Sequence, residues 1–485
     1  MRAWFAILVL SAGCDPIYLV DRAPDLGTGS QEPAGPASYA HRPSCSDGVQ
    51  SADESDIDCG GPCAPCADGR SCGVPHDCQS AACDSGVCIS CSDGVKNGAE
   101  SDIDCGGGTC FGCALFHTCN RNSDCLSNAC SRGICSQPLQ LSFATPVDTP
   151  IGAGTSLIGV GDFDGDEKLD VVASNAGQII SLLFGNGRGG LPERLDLVGN
   201  NDRAASLVTG DFNRDGRDDV AFGGTTGTHA LTVILGAYGR KVGAALITQW
   251  PALPEGLALG DFNGDKKLDI ATSSRYGDGA ILGVGDGLGG FQPFVGWHGN
   301  GASFTTAGDF NGDGISDLAM SDATGQIDIL FGTKNNVFAL GGSFMPQIGI
   351  PTMGAITSGD FNNDLKTDVI ATAWFYPSSW LLAGDGMGHL KSAATFMPDQ
   401  NVVAAVTADF DFDGNLDVAF ACDASRSVNV FRGDGKGNLP TMVTIGPFAG
   451  TVTGLALGDF NGDKKIDIVI AQEQGVVTMI LNDSN

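Results

Sequence analysis

A ten-residue acidic motif occurs seven times in the second part of the chain. The first copy, GDFDGDEKLD, begins at Gly161, and the others begin at residues 210, 260, 308, 359, 408 and 458. Successive copies are therefore 48 to 51 residues apart. A fixed period of this length is typical of supersecondary units that stack on one another and share a continuous core. The repeat restricts this region to an array such as a solenoid or a propeller.

Each repeat carries the pattern of four short strands. In the third copy these strands are expected at 257–261, 268–272, 280–284 and 291–297, with Gly-rich turns between them. Four short strands in each repeat are typical of a propeller blade. A solenoid would use a shorter repeat, and a β-sandwich would not repeat its sequence so closely. The sequence therefore predicts an all-β fold, with a seven-bladed β-propeller over residues 137–485.

The two ends of this region predict how the ring closes. The seventh copy stops after its third strand, which is expected at 476–481. A candidate for the missing fourth strand lies at 139–145, before the first copy of the motif. We expect this N-terminal strand to complete the last blade, because closure removes an exposed sheet edge.

The motif itself is a candidate metal-binding loop, in which the first Asp is counted as position 1. Side-chain oxygens occur at positions 1, 3, 5 and 9, which in the third copy are Asp261, Asn263, Asp265 and Asp269. The backbone carbonyl of Lys267 is expected to fill position 7. Ca²⁺ takes six to eight oxygen ligands, and the lack of Cys and His in the motif disfavours zinc, copper and iron. The loop is related to the EF-hand but has no Glu at position 12, so we expect position 9 to be the bidentate ligand.

The seven loops together predict sites for up to seven Ca²⁺ ions. The predicted ligands are Asp162, Asp164, Asp166, Lys168, Asp170, Asp211, Asn213, Asp215, Arg217, Asp219, Asp261, Asn263, Asp265, Lys267, Asp269, Asp309, Asn311, Asp313, Ile315, Asp317, Asp360, Asn362, Asp364, Lys366, Asp368, Asp409, Asp411, Asp413, Asn415, Asp417, Asp459, Asn461, Asp463, Lys465 and Asp467. The Lys, Arg and Ile residues and Asn415 are expected to use their backbone carbonyls. Any one loop alone would equally suit a solvated Asx turn, but seven copies at matched spacing disfavour that alternative.

Two other loop positions carry a signal. Gly occurs at position 6 in the second, fourth and sixth loops, whereas the remaining loops have Glu167, Lys266, Leu365 and Lys464 there. We expect these four loops to bind metal more weakly or to turn differently. Position 2 is Phe in every copy, from Phe163 onwards, which predicts packing between blades rather than a functional role.

The region before the propeller is rich in cysteine. Of 18 Cys residues, sixteen lie between Cys45 and Cys135, in two copies of one eight-Cys pattern. Units this small cannot bury a sufficient core and need covalent links, so we expect four disulfides in each of two modules, 45–90 and 91–136. The pairing is open, because eight Cys allow 105 arrangements. The CxxC pairs at Cys63 and Cys110 would also suit zinc, but an exported protein favours disulfides.

The N-terminus predicts export. A basic residue and a short apolar run precede Cys14, so residues 1–13 read as a signal peptide. The Leu-Ser-Ala-Gly-Cys run resembles a bacterial lipoprotein signal, which implies lipidation of Cys14; the alternative is an ordinary signal peptide. Residues 14–44 are rich in Pro, Gly, Ser and Ala and predict a flexible linker. The protein is therefore expected to be lipid-anchored at the cell envelope or secreted.

Charge and motifs exclude several function classes. The chain has 57 acidic against 26 basic residues, a net charge of -31, which disfavours nucleic acid and anionic lipid as partners. Contact with a membrane is expected only through the anchor at Cys14. The chain has no GxSxG, HExxH or P-loop motif, and His229, His298 and His389 fall in different repeats. Cys422 is more typical of a small buried residue than of a nucleophile. We therefore expect a protein that is not an enzyme.

The seven motif copies resemble the FG-GAP or VCBS-type repeat of integrin α-subunit propellers and of many bacterial surface proteins, over residues 139–485. The Cys-rich modules resemble those on surface proteins of myxobacteria. These resemblances imply a calcium-binding cell-surface or secreted protein that binds or adheres to an extracellular protein or glycan. A lectin is the alternative, and a polysaccharide-degrading enzyme is a weaker one. Trp374, Phe375, Tyr376 and Trp380 form an aromatic insert that would suit a sugar platform, although aromatic residues mostly pack in cores.

Overall fold

The computed structural model describes residues 45–484, except 47, 51–53, 81–82, 85, 92–95, 97–99, 108–109, 111, 115, 126–129, 132, 136–140, 153, 176–178, 199–203, 225–228, 255, 275–278, 298–301, 323, 347–352, 374–377 and 400. The predicted signal peptide, Cys14 and the linker lie outside the described residues. The chain divides into two compact units, Met1–Cys88 and Ile89–Asn485. Within the described ranges, no helix is both long enough and apolar enough to span a membrane.

Both Cys-rich modules are held by four disulfides in the same order. The pairs in the first are Cys45–Cys63, Cys59–Cys66, Cys72–Cys83 and Cys78–Cys88. Those in the second are Cys91–Cys110, Cys105–Cys113, Cys119–Cys130 and Cys125–Cys135. The regular elements are the 3-10 turns Pro75–Asp77 and Asn122–Asp124 and two short hairpins, Cys83–Asp84 with Val87–Cys88 and Cys130–Ser131 with Ile134–Cys135. The disulfide prediction is confirmed, and the CxxC cysteines are not available to zinc.

A buried aspartate organises each module around its disulfides. The Asp77 carboxylate accepts hydrogen bonds from the Ser55 hydroxyl and from the backbone amides of Gly61, Gly73 and Val74. These donors stabilise the charged form and hold the pKa of Asp77 well below its usual range. Asp124 occupies the same place in the second module. The modules therefore combine covalent links with a polar core, because they have little apolar surface to bury.

The rest of the described chain forms seven antiparallel four-stranded blades, whose strands are called a to d from the centre outwards. Blades 1 to 3 are Ile158–Gly161, Asp170–Asn175, Ile179–Phe184, Glu193–Val198; Ala204–Gly210, Asp219–Gly224, Ala230–Ala237, Lys241–Gln249; and Gly256–Gly260, Asp269–Ser274, Gly279–Gly285, Phe291–Trp297. Blades 4 to 6 are Ala302–Gly308, Asp317–Asp322, Ile327–Phe331, Ala339–Phe344; Met353–Gly359, Asp368–Ala373, Ser379–Gly384, Leu390–Phe396; and Val402–Ala408, Asp417–Cys422, Ser427–Arg432, Thr441–Ile445. Blade 7 is Val452–Gly458, Asp467–Gln472, Val476–Ile480 and Val147–Pro150. The predicted seven-bladed propeller is confirmed.

Blade 7 is closed by the N-terminal strand, but not at the predicted residues. Val147–Pro150 pairs antiparallel with strand c of this blade, from Val147 opposite Met479 to Pro150 opposite Val476. Of the predicted segment 139–145, the described residues 141–145 contribute an isolated bridge, between Phe143 and Asn482, and no named strand. Pro146 separates the two contacts and, having no amide hydrogen, can donate no hydrogen bond to strand c there. The expected range was therefore wrong, although the closure itself is as predicted.

The blades pack through the apolar faces of their sheets. The Phe at position 2 is at most 3% exposed in all seven loops. Phe163, for example, packs with Val172 of blade 1 and Phe222 of blade 2, which confirms the predicted role between blades. The a strands surround a central channel of about 570 Å³. Cys422 is fully buried, and burial raises the pKa of its thiol to about 12, which confirms a packing role.

Candidate functional site

The seven acidic motifs form loops that join strand a to strand b within each blade. Position 9 is the first residue of strand b in every blade, as in Asp317 of blade 4. The loops are called loop 1 to loop 7 after their blades. Since every a strand runs in the same direction through the ring, all seven loops lie on one rim of the propeller.

The same four hydrogen bonds shape every loop. In loop 3 the amide of Asp265 donates to Oδ1 of Asp261 at 3.0 Å and to Oδ1 of Asn263 at 2.9 Å. The amide of Lys266 donates to Oδ2 of Asp261 at 2.7 Å, and that of Lys267 to Oδ1 of Asp265 at 2.9 Å. The equivalent bonds occur in the other six loops. The structure thus brings the oxygens of positions 1, 3 and 5 together in each loop.

Position 6 adopts the same left-handed backbone in all seven loops. The φ angle there is 64° at Glu167, 66° at Lys266, 64° at Leu365 and 70° at Lys464, against 80° at Gly314. The expectation that loops without Gly turn differently is therefore wrong. The hydrogen bond from the position 6 amide to the position 1 carboxylate forms in every loop. The four loops without Gly keep this bond, although the left-handed backbone costs a residue with a side chain about 1 kcal/mol. Weaker metal binding by these four loops stays a prediction.

Position 9 has a structural role that sequence reasoning missed. In loop 4, Oδ2 of Asp317 accepts the Phe310 amide at 2.9 Å, and Oδ1 accepts the Gly332 amide, just after strand c, at 2.9 Å. The other six blades repeat both bonds, with Asn482 in place of Gly in blade 7. Position 9 therefore ties each loop to strand c of its own blade. Its predicted bidentate contact with a metal stays a prediction.

The glycine at the end of strand c makes this tie possible. A Cβ atom on Gly285 would lie 2.1 Å from the carbonyl oxygen of Leu268, at position 8 of loop 3. Only a residue without a side chain allows the strand to approach the loop so closely in this blade. A signal was present in the sequence, because a Gly recurs 15 to 17 residues after position 9 in six of the seven copies.

Each loop also contacts the next blade around the ring. In six of the seven loops the carbonyl of Phe at position 2 accepts a hydrogen bond from the end of strand c of the following blade or from the residues just after it, and in loop 3 the Asp261 carbonyl accepts one from the Ser316 amide. The donor and acceptor pairs are Ala237 and Phe163, Gly289 and Phe212, Gly388 and Phe310, Gly437 and Phe361, the Asn482 side chain and Phe410, and Gly189 and Phe460. The loops therefore lie at the seams between blades, and any ligand that stiffens them also stiffens the ring.

Carboxylates crowd together in these loops. In loop 1, ligand oxygens of Asp162, Asp164 and Asp170 lie within 4.8 Å of one another. Burial raises the pKa of Asp170 to about 7, and burial together with the charges of its neighbours raises that of Asp164. In loop 6, burial raises the pKa of Asp417 to about 8. Carboxylates this close repel one another when they are charged, unless a bound cation or a proton offsets the negative charge.

The donor set fits calcium. The side chains at positions 1, 3, 5 and 9 offer oxygens alone, which are the ligands that Ca²⁺ prefers. Lys at position 7 turns its ammonium to Oδ2 of position 5, as in loop 3, where Lys267 Nζ lies 3.1 Å from Asp265 Oδ2. The carbonyl ligands expected at position 7 stay predictions.

Other candidate residues are not brought into one site. His229 and His389 lie in blades 2 and 5, and His389 pairs with Asp385 on an exposed turn at 2.8 Å. His298 and the aromatic residues 374–376 lie outside the described residues. Trp380 belongs to strand c of blade 5 and is only 4% exposed, so this member of the aromatic insert packs in the core.

Comparison with known proteins agrees with this geometry. A family profile described as an FG-GAP-like repeat matches residues 162–222, 261–320, 309–371 and 409–470. The propeller therefore contains FG-GAP-like repeats in these four segments. Propellers of FG-GAP-like repeats are typically binding or adhesion domains without enzymatic activity. Together with eight disulfides, they indicate an extracellular or exported protein.

Solved structures show the same fold. The chain is similar to the structure described as "Crystal structure of BBS1N in complex with ARL6DN, soaked with lead", with a TM-score of 0.50 and 10% identity. The match covers 70% of this chain and 96% of that one. At this identity the likeness carries the fold alone. No curated protein matches the chain in sequence.

Proposed function

We propose that the protein is an exported calcium-binding module, whose propeller binds or adheres to an extracellular protein or glycan. The observation that carries the proposal is the common shape of the seven loops, each of which gathers three acidic or amide side chains around one point. A single such loop would suit an ordinary turn. Seven loops with the same bonds, all on one rim, favour a shared ligand.

Calcium would be held by positions 1, 3 and 5 of a loop, with position 9 and the position 7 carbonyl completing the set. When bound, it supplies the positive charge that offsets the crowded carboxylates. The chain's own residues do the rest: the position 5 and 6 amides orient position 1, and the position 9 carboxylate ties the loop to strand c. When the free calcium concentration is 100 times the dissociation constant of a site, binding at that site adds about 2.7 kcal/mol to the free energy of unfolding.

The place of action that this proposal implies is outside the cell. Disulfides persist in oxidising compartments, and millimolar extracellular calcium fills even weak loops. A lipid anchor at Cys14 is part of the proposal, with the Cys-rich modules standing between the anchor and the propeller in the sequence. Mass spectrometry of the mature N-terminus tests the anchor: a diacylated Cys14 supports it, and an unmodified N-terminus refutes it.

The metal is tested by native mass spectrometry of the full chain. We expect several calcium ions per chain at millimolar calcium and fewer magnesium ions at the same concentration, because Mg²⁺ demands an octahedral site and loses water reluctantly. A chain that carries no calcium under these conditions would refute the calcium proposal.

The ligand class needs a separate experiment. A glycan array and an array of extracellular matrix proteins, each probed with and without calcium, distinguish the two kinds of ligand. Calcium-dependent binding to a protein supports adhesion, and binding to one sugar class supports the lectin alternative. Turnover of a polysaccharide, or silence on both arrays, would contradict the proposed binding function.

A further inference from the structure

Loops 1 and 6 differ from the others in charge. They have Asp at position 3, Asp164 and Asp411, whereas the other five loops have Asn there. In both loops an arginine from outside the loop faces this extra carboxylate. Arg240 Nε lies 3.6 Å from Asp164 Oδ2, and Arg432 Nε forms an ion pair with Asp411 Oδ2. The extra negative charge is therefore compensated by the protein itself in both cases.

The arginine of loop 6 reaches further into its loop than that of loop 1. Arg432 Nη2 also donates to Asp413 Oδ2 at 2.9 Å, so one guanidinium bridges positions 3 and 5. The Asp411 and Asp413 side chains are 0% and 3% exposed and the Arg432 side chain is 24% exposed, so the carboxylates of this ion pair are buried. Arg240, in contrast, shares its guanidinium with Glu193 outside the loop. Among the ion pairs of the described loops, loop 6 has the one basic side chain that contacts the carboxylates of both positions 3 and 5.

The sequence sets Arg432 apart as well. It is the residue immediately before the glycine whose amide donates to position 9. The residues in this place in the other blades are all apolar: Phe184, Leu235, Val284, Phe331, Ala383 and Leu481. A charged residue at a position that is otherwise apolar is a departure from the repeat, and it coincides with the loop that has an acidic position 3.

Position 7 of loop 6 departs from the repeat in a complementary way. Five loops have Lys or Arg there, and in loop 1 Lys168 Nζ pairs with the position 5 carboxylate at 2.7 Å. Loop 6 has Asn415, whose Oδ1 accepts a hydrogen bond from Asn363 Nδ2 of loop 5 at 2.8 Å. The position 5 carboxylate of loop 6 is thereby left to Arg432.

We propose that Arg432 takes the place of a calcium ion in loop 6, so that this loop is held in shape by a built-in cation. A Ca²⁺ ion bound in loop 6 would lie beside the guanidinium that bridges positions 3 and 5, and it would meet a like charge among buried carboxylates. Loop 6 is then ordered without metal, while the other loops depend on calcium. The inference rests on the proposed calcium binding of those loops.

Counting bound calcium tests the inference. In native mass spectrometry we expect six ions on the wild type and seven on Arg432→Leu, which installs the residue found at this place in blades 2 and 7. Arg194→Leu removes a surface ion pair with Asp196 and serves as the control, with six ions expected. Seven ions on the wild type, or no gain in Arg432→Leu, would overturn the inference but leave the calcium proposal intact. A wild type without calcium would overturn both.

Hydrogen exchange of the wild type gives a second test that needs no substitution. Loop 4 is the matched comparison, because it has Asn311 at position 3 and Ile315 at position 7 and so carries no basic residue of its own. On chelation, the amides of 309–317 are expected to lose protection by about tenfold or more, since a loop that loses its ligand opens locally. The amides of 409–417 are expected to keep theirs. Equal losses in the two loops would contradict the inference.

Discussion

The tie between strand c and the loop can be tested at Gly285. Replacing Gly285 by Ala places a Cβ atom 2.1 Å from the Leu268 carbonyl oxygen, roughly 1 Å inside van der Waals contact. That oxygen is main chain and cannot rotate away, so strand c or the loop must shift. The shift would lengthen the 2.8 Å hydrogen bond from the Gly285 amide to Asp269 Oδ1, which is buried.

The expected cost follows from these two effects. Overpacking of a core costs about 1–3 kcal/mol, and a hydrogen bond to a charged acceptor is worth about 1.5–3 kcal/mol. Ala lowers the conformational entropy of the unfolded chain, which offsets about 0.4–1 kcal/mol of this cost. We therefore expect Gly285→Ala to lower the free energy of unfolding by roughly 2–5 kcal/mol.

Urea unfolding followed by circular dichroism, in metal-free buffer, measures this cost without any contribution from calcium. Gly243→Ala is the control, because Gly243 lies on the exposed outer strand of blade 2, where the nearest atom to a new Cβ is Leu235 Cβ at 3.3 Å. There we expect a gain of up to about 1 kcal/mol, since Gly weakens a strand. The reasoning is refuted if Gly285→Ala costs less than about 1 kcal/mol, or if the two variants behave alike.

Three further predictions concern the loops and the modules. Leu365→Gly should raise the free energy of unfolding in urea by about 0.5–1 kcal/mol, because Leu365 is 95% exposed and its φ is 64°, a backbone conformation that glycine adopts without strain. The control is Leu288→Gly, at an exposed site without a positive φ, which should lower the free energy of unfolding. Burial raises the pKa of Asp269 to about 6 and that of Asp417 to about 8, so without metal the folded state keeps protons that the unfolded state loses above about pH 4. The melting temperature of metal-free protein should therefore fall from pH 5 to pH 8, and a rise would contradict this assignment. Reduction should make residues 45–135 sensitive to protease while the propeller melts as before, because each disulfide contributes about 2–4 kcal/mol to its module and Cys422 is unpaired. A lower propeller melt would show instead that the modules support the ring.

The repeat made most of the fold readable from the sequence. The strand pattern and the position 2 phenylalanine recur in seven copies at a fixed period, so a chance pattern in one copy does not change the prediction. The disulfide modules were readable for a related reason, since two copies of one Cys pattern leave little room for chance. The pairing itself was open in the sequence, because it depends on which sulfurs meet in space.

The features that the sequence did not predict depend on contacts between segments that are far apart in the sequence. The closing strand begins at Val147, directly after Pro146, which has no amide hydrogen to donate to the ladder. The role of Gly285 is set by a carbonyl 17 residues earlier, at Leu268. Leu365 was expected to alter its turn, yet the hydrogen bond from its amide to Asp360 at 2.8 Å keeps the common shape.

The oxygens of the loops were readable as residue types, but the contacts of each loop were not. Spacing gives every loop the same oxygens at positions 1, 3, 5 and 9. It does not show that position 9 already accepts two amides, as Asp317 does, or that Arg432 lies against loop 6. Those contacts come from strand c, which is remote in sequence and adjacent in the blade.

Calorimetry with and without calcium tests the central claim most directly, namely that metal in the loops holds the ring together. Six filled sites at about 2.7 kcal/mol each, set against an unfolding entropy of about 2.1 cal/mol/K per residue, correspond to a shift on the order of 20 °C for the propeller. We predict that chelation lowers the melting temperature of the full chain by about this amount and that added calcium restores it. The same melting temperature in excess chelator and in millimolar calcium would contradict the account.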